Sequence, residues 1–276
     1  MALESLRATN EGNLARMTVV VLHEGLSDES RRRIDRQAQT LGVPVRLHRA
    51  RLPDLPYNTA YGGSRANYLR LAIPDALPGA ERAVYLDADI VIRAAITPLA
   101  NADLGGCPVG AVRDSINPTL ATGNALPNWS DLGLSGSQEY FNSGVMVFDL
   151  PACAREGVFD RAFGAVADHA RHLRLWDQDA LNLAIRDRWF RLPRRWNTVP
   201  YSALSRVPWV RYAAEDVQPA AGLIAAENDA SIMHYVSPSK PWLGLLPAGP
   251  ANDLYHRHLS SVLRRNPELS SERKTR

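Results

Sequence analysis

Cysteine is scarce in this 276-residue sequence, which contains only Cys107 and Cys153. Their wide spacing excludes a disulfide framework and a zinc knuckle. Long apolar runs are also missing, because no stretch approaches the roughly 18 residues that span a bilayer. The N-terminal residues lack the basic, apolar and small-residue order of a signal peptide. We therefore expect a soluble protein of the cytoplasm.

A large excess of one charge is absent as well. The 32 Lys and Arg residues face 29 Asp and Glu residues, which gives a formal net charge of +3. Because the arginines are scattered along the sequence rather than clustered on one face, we expect no nucleic-acid partner. With 45% hydrophobic and 22% charged residues, the chain can bury a substantial core as one enzyme-sized α/β globule.

The C-terminal residues are the exception to this even charge. A last helix is expected at 252–265, and it combines an apolar stripe with basic residues that continue to Arg276. Such a segment can rest on anionic lipid as a basic amphipathic helix, or it can be a solvated surface helix with a frayed end. The sequence leaves both alternatives open.

Most of the chain alternates between strand-like and helix-like segments. Runs of β-branched and apolar residues predict strands at 17–22, 43–47, 83–86, 109–112, 145–148 and 231–235. Helical patterns and boundary residues predict helices at 27–41, 64–73, 159–173, 177–187 and 252–265. This alternation indicates a three-layer α/β fold with a largely parallel sheet, and with its site at the carboxyl ends of the strands.

The segment from Ala83 to Ile92 is the most informative in the chain. Two carboxylates, Asp87 and Asp89, stand one residue apart inside an otherwise apolar run. Desolvating such a pair is costly unless its charge is compensated, and a divalent cation with oxygen ligands is the usual compensator. The alternative is that the two residues only cap a turn after the strand.

Three further segments place polar side chains beside apolar strands. Asn142 precedes a glycine and a strand, where its amide can reach a sugar hydroxyl or simply form a turn. Residues 177–179, Asp-Gln-Asp, gather at an expected helix N-terminus, where Asp is also an ordinary cap. His234 ends a strand, and Lys240 follows in the same loop, so this loop can supply a neutral metal ligand and a phosphate-binding cation.

Taken together, these segments resemble glycosyltransferase family 8, the retaining enzymes that include bacterial lipopolysaccharide galactosyl- and glucosyltransferases and the glycogenins. The resemblance extends over about residues 1–245, in the order and spacing of the family. The residues that carry it are Arg65-Ala66-Asn67-Tyr68-Leu69-Arg70-Leu71, Tyr85-Leu86-Asp87-Ala88-Asp89, Phe141-Asn142-Ser143-Gly144-Val145, Asp177-Gln178-Asp179-Ala180-Leu181-Asn182, and His234-Tyr235 with Lys240-Pro241-Trp242.

The resemblance implies a GT-A type fold at residues 1–250, with a mostly parallel central sheet flanked by helices. A C-terminal helix and basic tail follow at 251–276. It implies a UDP-hexose donor and a glycan or glycolipid acceptor of the lipopolysaccharide type. It also implies a Mn²⁺ ion, with Mg²⁺ as the alternative, bound by Asp87, Asp89 and His234. Contact of the basic tail with lipid would place the protein at the inner face of the membrane.

The resemblance implies roles for the remaining polar residues. Lys240 would face the diphosphate, and Ser237 stands nearby, where many members of the family have Gly. Arg70 and Asn142 would contact the donor sugar or the diphosphate. Asp114 falls where the family approaches the acceptor. Loops at 117–138 and 208–227, rich in Gly, Ser, Pro and Asn, are expected to build the acceptor pocket.

Asp177, Gln178 and Asp179 would line the sugar pocket and are the catalytic candidates. Breaking the sugar–phosphate bond leaves negative charge on the diphosphate, which a divalent ion and Lys240 can stabilise. The sugar becomes oxocarbenium-like beside amide and carboxylate oxygens such as those of Gln178 and Asp179. Because an amide oxygen is a poor nucleophile, we favour front-face attack over a covalent intermediate. A trapped glycosyl adduct would contradict this hypothesis.

The sequence departs from the family at its N-terminus. Members open with a strand and an Asp-rich turn that grips the uracil and ribose, whereas Met1 to Leu6 resembles the helix that follows them. About 15 residues are missing by this comparison. We expect either a true start upstream, which we favour, or a truncated transferase. An absent strand would leave an apolar helix face, at Leu3 and Leu6, and a sheet neighbour uncovered.

Functions of two other classes fit parts of the sequence. Asp87 to Val91 also fits the nucleophile loop of haloacid-dehalogenase-like phosphatases, but the chain has no Asp-Asp or Gly-Asp dipeptide to supply their later magnesium ligands. The other alternative is a non-catalytic protein that only binds a glycan or a partner. Turnover of a nucleotide sugar would distinguish the transferase from this binding protein. Phosphatase activity would distinguish the phosphatase from the transferase.

Overall fold

A computed structural model describes residues 1–266. The strands are β1 (Val19–His23), β2 (Val45–Arg49), β3 (Arg82–Leu86), β4 (Ile90–Ile92), β5 (Val109–Arg113), β6 (Phe141–Asp149), β7 (Trp189–Arg191) and β8 (Ile232–His234). The helices are α1 (Ala2–Asn10), α2 (Asp28–Leu41), α3 (Ile73–Ala76), α4 (Thr97–Ala100), α5 (Leu150–Arg155), α6 (Val158–His169), α7 (Trp176–Ile185), α8 (Tyr201–Leu204), α9 (Ala220–Ala226) and α10 (Pro250–Arg265).

The main sheet has four strands in the order β3-β6-β5-β7. Strand β6 runs antiparallel to β3 and β5, and β7 runs parallel to β5. In two smaller sheets, β1 pairs in parallel with β2, and β4 pairs antiparallel with β8. The α/β class is therefore confirmed. The expectation of a mostly parallel sheet is wrong, because β6 reverses the direction in the middle of the main sheet.

This reversal follows from the connection between β5 and β6. Residues 114–140 form an irregular loop with no helix in it. Parallel neighbours need a crossover connection, usually a helix, whereas β6 returns directly beside β5. The apolar composition of β6 could not show its direction, since a strand covered on both faces has a continuous apolar sequence whichever way it runs.

Strand β6 divides the core into two layers. Its residues Met146 and Phe148 belong to one buried cluster, together with residues of α6 and α7. Val145 and Val147 belong to a second cluster, together with residues of β4. Alternate side chains of a strand point to opposite faces, so helices cover one face of β6 and the β4 region covers the other. Residues 142–144 of this strand contact the site that is described below.

Local signals explain both boundaries of α2 and the start of α3. Oγ of Ser27 accepts a hydrogen bond from the backbone N–H of Ser30 at 3.1 Å, and α2 ends at Gly42 with a φ of +63°. The helix predicted at 27–41 is therefore confirmed. The helix predicted at 64–73 is instead a 3-10 helix over Arg65–Ala72. Pro74 does not end it but lies in the first turn of α3, where its missing N–H needs no partner.

The N-terminal and C-terminal helices both pack on the core. Leu6 of α1 is buried beside β4, and Oγ of Ser5 accepts from the backbone N–H of Ile92 at 3.0 Å. Helix α10 buries Tyr255 and Val262. Within residues 1–266, β1 pairs with β2 alone and β3 with β6 alone. The predicted missing strand and the predicted domain limits stay predictions.

The apolar stripe of α10 is covered by the protein itself. Leu254 and Leu259 pack against a third buried cluster, which includes Val91 of β4 and Met233 of β8. Oγ of Ser261 donates to Oε1 of Glu4 at 2.6 Å. The end of the basic tail that was expected to touch lipid, from position 267 to Arg276, lies outside the described residues. None of the helices described in residues 1–266 is both long and apolar enough to cross a membrane.

Candidate active site

Three chain segments bring two carboxylates and an imidazole to one place. Strand β3 ends at Leu86, directly before Asp87, and β4 begins at Ile90, directly after Asp89. The pairing of β4 with β8 sets Ile90 opposite His234. The two aspartates therefore lie in the short bend between two strands, beside the imidazole at the end of a third strand.

Asp87, Asp89 and His234 form what we call the acidic cluster. One possible ligand atom from each residue lies within 4.8 Å of the others. Nε2 of His234 is 3.5 Å from Oδ2 of Asp87 and 3.2 Å from Oδ1 of Asp89. The His234 side chain is 4% exposed, whereas those of Asp87 and Asp89 are 24% and 23% exposed. The cluster is therefore open to solvent at its carboxylates.

The charges in the acidic cluster shift one another's pKa. Burial alone would lower the pKa of His234, but Asp89 and Asp87 outweigh this effect and raise the pKa. Burial would raise the pKa of Asp89, but His234 and Lys240 outweigh it and hold the pKa below its usual range. The carboxyl group of Asp89 is therefore ionised at neutral pH, as a cation ligand must be.

Asn197 orients the imidazole of this cluster. Its Oδ1 lies 2.9 Å from Nδ1 of His234. Because a carbonyl oxygen only accepts hydrogen bonds, Nδ1 carries the hydrogen, and the neutral ring keeps its lone pair on Nε2, which faces the carboxylates. The sequence analysis missed Asn197, since a single Asn after Trp196 belongs to no recognisable pattern.

Lys240 reaches the acidic cluster from the loop after β8. Its Nζ lies 2.5 Å from Oδ2 of Asp89 and 2.5 Å from the carbonyl oxygen of Tyr235. The cation that was predicted to face a diphosphate therefore contacts a candidate metal ligand in this structure. Ser237, in the same loop, has a φ of +81°, a backbone conformation that favours glycine. A glycine at this position would adopt the same conformation at lower cost.

Arg70 links the acidic cluster to α7. Its Nη2 donates to Oδ1 of Asp87 at 2.9 Å, and its Nε forms an ion pair with Oδ2 of Asp177 at 2.7 Å. Nη1 donates to the carbonyl oxygen of Ser143. The guanidinium also lies 4.3 Å from the ring centroid of Tyr85. Burial opposes the charge of Arg70, but Asp177 and Asp87 outweigh burial and raise its pKa.

A chain of amide and carboxyl groups continues from Asn197 to Gln178. Nδ2 of Asn197 donates to Oδ1 of Asn142 at 2.8 Å. Nδ2 of Asn142 and Nε2 of Gln178 both donate to Oδ2 of Asp114, at 2.9 and 3.2 Å. Oε1 of Gln178 accepts from the backbone N–H of Ser143 at 2.9 Å. Strand β6 supplies Asn142 from within its length, rather than from a turn before it.

Asp177 and Asp179 lie in the first turn of α7 and have different partners. Oγ of Ser143 donates to Asp177 at 3.1 Å. Asp179 accepts from the hydroxyl of Tyr140 at 2.6 Å and from the backbone N–H of Leu175 at 2.8 Å. Burial raises the pKa of Asp177 to about 6 and that of Asp179 to about 7. Asp179 is fully buried, and its place in a sugar pocket stays a prediction.

Gly144 lets β6 run directly against the acidic cluster. A Cβ atom at this position would lie 2.1 Å from Cε1 of His234 and 2.7 Å from Oδ2 of Asp87. The Gly144 carbonyl oxygen accepts from the backbone N–H of Asp87 at 2.8 Å, and its N–H donates to Oδ1 of Asn142 at 2.9 Å. Any side chain here would displace a residue of the cluster.

A cleft of about 210 Å³ opens beside Asp89. The indole of Trp242 lines it, 40% exposed, and Nζ of Lys240 lies 5.5 Å from the centroid of that ring. Tyr235 and Tyr255 are further aromatic residues of its wall. A carboxylate and an exposed ring thus border one space that a polar ligand could enter, and the ammonium group of Lys240 lies near that ring.

Comparison with known proteins gives a family match over most of the chain. The sequence model of glycosyl transferase family 8 matches residues 1–245. General stress protein A of Bacillus subtilis (strain 168) is 25% identical over 242 residues, which cover 85% of this chain and 79% of that protein. Lipopolysaccharide 1,2-glucosyltransferase of Escherichia coli (strain K12) is 30% identical over 198 residues, which cover 71% of this chain but 54% of that protein.

A solved glycosyltransferase structure has the same fold. The crystal structure of the galactosyltransferase LgtC in complex with donor and acceptor sugar analogues matches with a TM-score of 0.68 and 22% sequence identity. The match covers 94% of this chain and 91% of that chain. The GT-A type fold is therefore confirmed. Because the family match extends over residues 1–245, the chain belongs to glycosyl transferase family 8 and is a glycosyltransferase.

Proposed function

We propose that this protein transfers a hexose, with retention of configuration, from a UDP-sugar to a glycan or glycolipid acceptor of the lipopolysaccharide type. The acidic cluster carries the proposal, because it gathers Asp87, Asp89 and His234 at an open position. The names of two similar proteins, a lipopolysaccharide 1,2-glucosyltransferase and a galactosyltransferase, support this choice of substrates. We assign the protein to the cytoplasm, where a glycolipid acceptor would bring it to the inner face of the membrane.

The donor atoms of the acidic cluster suit Mn²⁺, with Mg²⁺ as the alternative. Carboxylate oxygens are ligands of both ions, and the imidazole nitrogen of His234 favours the transition metal. The hydrogen bond from His234 to Asn197 fixes the ring with Nε2 towards the carboxylates, as the hydrogen-bond partner of a metal-binding histidine usually does. When bound by these residues, the ion would supply positive charge where the departing diphosphate becomes negative.

Lys240 supplies a positive charge from the protein itself beside the acidic cluster. Its side chain is 20% exposed and contacts Asp89, and its Nζ lies 5.5 Å from the ring centroid of Trp242, which lines the cleft. An ammonium group is a mobile point charge on a flexible stem, so Lys240 can bind a diphosphate that enters beside Asp89. It would stabilise the charge that develops as the sugar–phosphate bond breaks.

The amide network is the proposed holder of the donor sugar. Asn142 and Gln178 are fixed by their shared contact with Asp114, and Arg70 is fixed by Asp177. Oε1 of Gln178 already accepts from a backbone N–H, which makes it less available as a nucleophile and supports the front-face route. Asp114 would then stand between the donor sugar and the acceptor.

Calorimetric titration of UDP into the full chain, with and without Mn²⁺, tests the proposal. We expect Mn²⁺-dependent binding in the wild-type protein. Asp87→Ala should weaken it by on the order of 100-fold or abolish it, since loss even of an outer-shell partner costs roughly 10–100-fold in metal affinity. Release of UDP from UDP-glucose and UDP-galactose is then measured with the same proteins.

The matched control is Asp35→Asn, which removes a carboxylate from the exposed face of α2. It should leave UDP binding unchanged. Binding that ignores Mn²⁺, or that survives in Asp87→Ala, would contradict the role of the acidic cluster. An absence of UDP binding by the wild-type chain would contradict the proposed donor and favour the non-catalytic alternative.

A further inference from the structure

Two arginines meet beside Asp114, outside the acidic cluster. Nη2 of Arg113, at the end of β5, donates to Oε1 of Gln218 at 3.2 Å, and Nη2 of Arg194 donates to the same oxygen. Nη1 of Arg194 also donates to Oγ of Ser115 at 2.7 Å. Two guanidinium groups therefore share one neutral amide oxygen, which brings two like charges together.

The charge of this arginine pair is only partly balanced. Glu139 lies 3.2 Å from Nη1 of Arg113 and 2.8 Å from Nε of Arg191, so one carboxylate serves two arginines. No carboxylate of residues 1–266 lies within ion-pair distance of Arg194, whose described partners are neutral. Burial and the neighbouring Arg113 lower the pKa of Arg194, as expected for a cation whose charge is poorly compensated.

Asp114 does not complete the balance. Its Oδ1 accepts from two backbone N–H groups, and its Oδ2 accepts from Asn142 and Gln178. Both oxygens are therefore occupied by neutral donors, and the charge of Asp114 acts on Arg194 only through space. A further anion would pair directly with guanidinium N–H groups that have neutral partners in this structure.

The arginine pair lies where the proposed function puts the acceptor. Arg113 directly precedes Asp114, the proposed acceptor contact, and its side chain is 31% exposed. Gln218, which anchors both arginines, belongs to the segment at 208–227 that the sequence predicts to be an acceptor loop. It is 6% exposed, and its carbonyl oxygen accepts from the hydroxyl of Tyr212. A buried anchor holds the guanidinium groups in place before a ligand arrives, which lowers the entropic cost of binding.

We propose that Arg194 and Arg113 form an anion subsite of the acceptor site, which selects acceptors that carry a phosphate or a carboxylate group. This inference rests on the proposed function, because it places a sugar acceptor at Asp114. The planar guanidinium group binds either anion through two parallel hydrogen bonds. A phosphorylated sugar and a uronic acid share this chemistry, and separate probes distinguish them.

The test is calorimetry on the full chain saturated with UDP and Mn²⁺, so that the diphosphate position is already filled. The three probes are galactose, galacturonate and galactose 6-phosphate, each also titrated into buffer with Mn²⁺. We expect a charged probe to bind about tenfold or more tightly than galactose, the size typical of hydrogen bonds to a charged group. The tighter of the two charged probes identifies the favoured anion.

Three variants separate an anion contact from a structural role. Arg194→Gln should remove the preference for the charged probe while UDP binding stays unchanged. Arg194→Lys keeps the charge and should retain part of the preference. Arg195→Gln is the matched control, since Arg195 is the exposed neighbour in the chain and lies over the ring of Trp196. It should keep the full preference.

The anion subsite and the proposed function would fail on different results of this experiment. Equal affinity for the three probes, or binding of none of them, would overturn the anion subsite. So would a charged-probe preference that survives in Arg194→Gln. Failure of the proposed function is recognised earlier in the same experiment, because the wild-type chain would then not bind UDP with Mn²⁺ in the first titration.

Discussion

Arg70 carries a permanent positive charge at a position that is 5% exposed, between Asp87 and Asp177. Removing one partner of a buried ion pair leaves the other charges without compensation. We expect Arg70→Met, which retains much of the side-chain volume, to lower the free energy of unfolding by about 3–5 kcal/mol. Urea denaturation followed by circular dichroism measures this change.

Arg32→Met is the control for this experiment, because Arg32 lies on the exposed face of α2. Its free energy of unfolding should change by less than about 0.5 kcal/mol, as is usual for surface substitutions. Arg70→Lys keeps the charge but loses the planar fork, and we expect an intermediate loss. Equal stability of the Met variants at both positions would show that Arg70 is not a buried link.

The site residues that could be identified from the sequence are those next to apolar strands. Asp87, Asp89 and His234 are noticeable because charged or titratable groups interrupt or end such runs, and the structure brings them together. Asn197 could not be found in this way, since its contact with His234 depends on pairing between distant segments. Arg194 is equally hidden, because its partner Gln218 lies in a loop with no regular pattern.

At the scale of the element, β6 contributes Asn142, Ser143 and Gly144 to the site, and Gly144 packs directly against the acidic cluster. We expect Gly144→Ala to weaken Mn²⁺-dependent UDP binding by roughly 10–100-fold, as displaced ligand positioning does in metal sites. The reason is that the new methyl group would overlap the buried ring of His234. Calorimetry with UDP and Mn²⁺ provides the measurement.

Gly164→Ala is the matched control, since position 164 on α6 has no neighbouring atom within 4 Å of a new Cβ atom. Binding should be unchanged there, and the helix should gain slightly in stability. If Gly144→Ala bound UDP as tightly as Gly164→Ala, the close packing of β6 against the cluster would be irrelevant to binding.

Element types were easier to predict than element directions. The helix at 27–41 has a serine cap and a terminal glycine, both local signals, and it was predicted correctly. The direction of β6 depends on how its loop returns, which no local pattern encodes. The strand predicted at 83–86 is confirmed as β3, whereas the apolar residues after Asp89 form a further strand, β4, in a different sheet, which was not predicted.

At the scale of the whole molecule, the buried carboxyl group of Asp179 makes stability depend on pH. Its pKa is raised from 3.8 to about 7, so the folded state holds this proton more tightly than the unfolded state. Between these two pKa values only the unfolded chain has released the proton, and stability therefore falls as pH rises through this range. The slope for one such group is at most about 1.4 kcal/mol per pH unit.

Asp179→Asn removes this titration and isolates its effect. The free energy of unfolding of wild type minus that of Asp179→Asn should decrease from pH 5 to about 7 and then level off. Urea titrations at several pH values measure this difference. The exposed substitution Asp35→Asn should give a flat difference over the same range. A flat difference for Asp179→Asn as well would contradict the raised pKa.

The contact between Lys240 and Asp89 joins residues 151 positions apart in the chain. During synthesis on the ribosome, at roughly 5–20 residues per second, the ammonium group follows its carboxylate by about 8–30 s. Until residue 234 has been added, the nascent chain carries the two aspartates without the imidazole of His234. Translation that stops before residue 234 would therefore yield a product with both aspartates of the acidic cluster but without its imidazole nitrogen, and without the strand that pairs with β4.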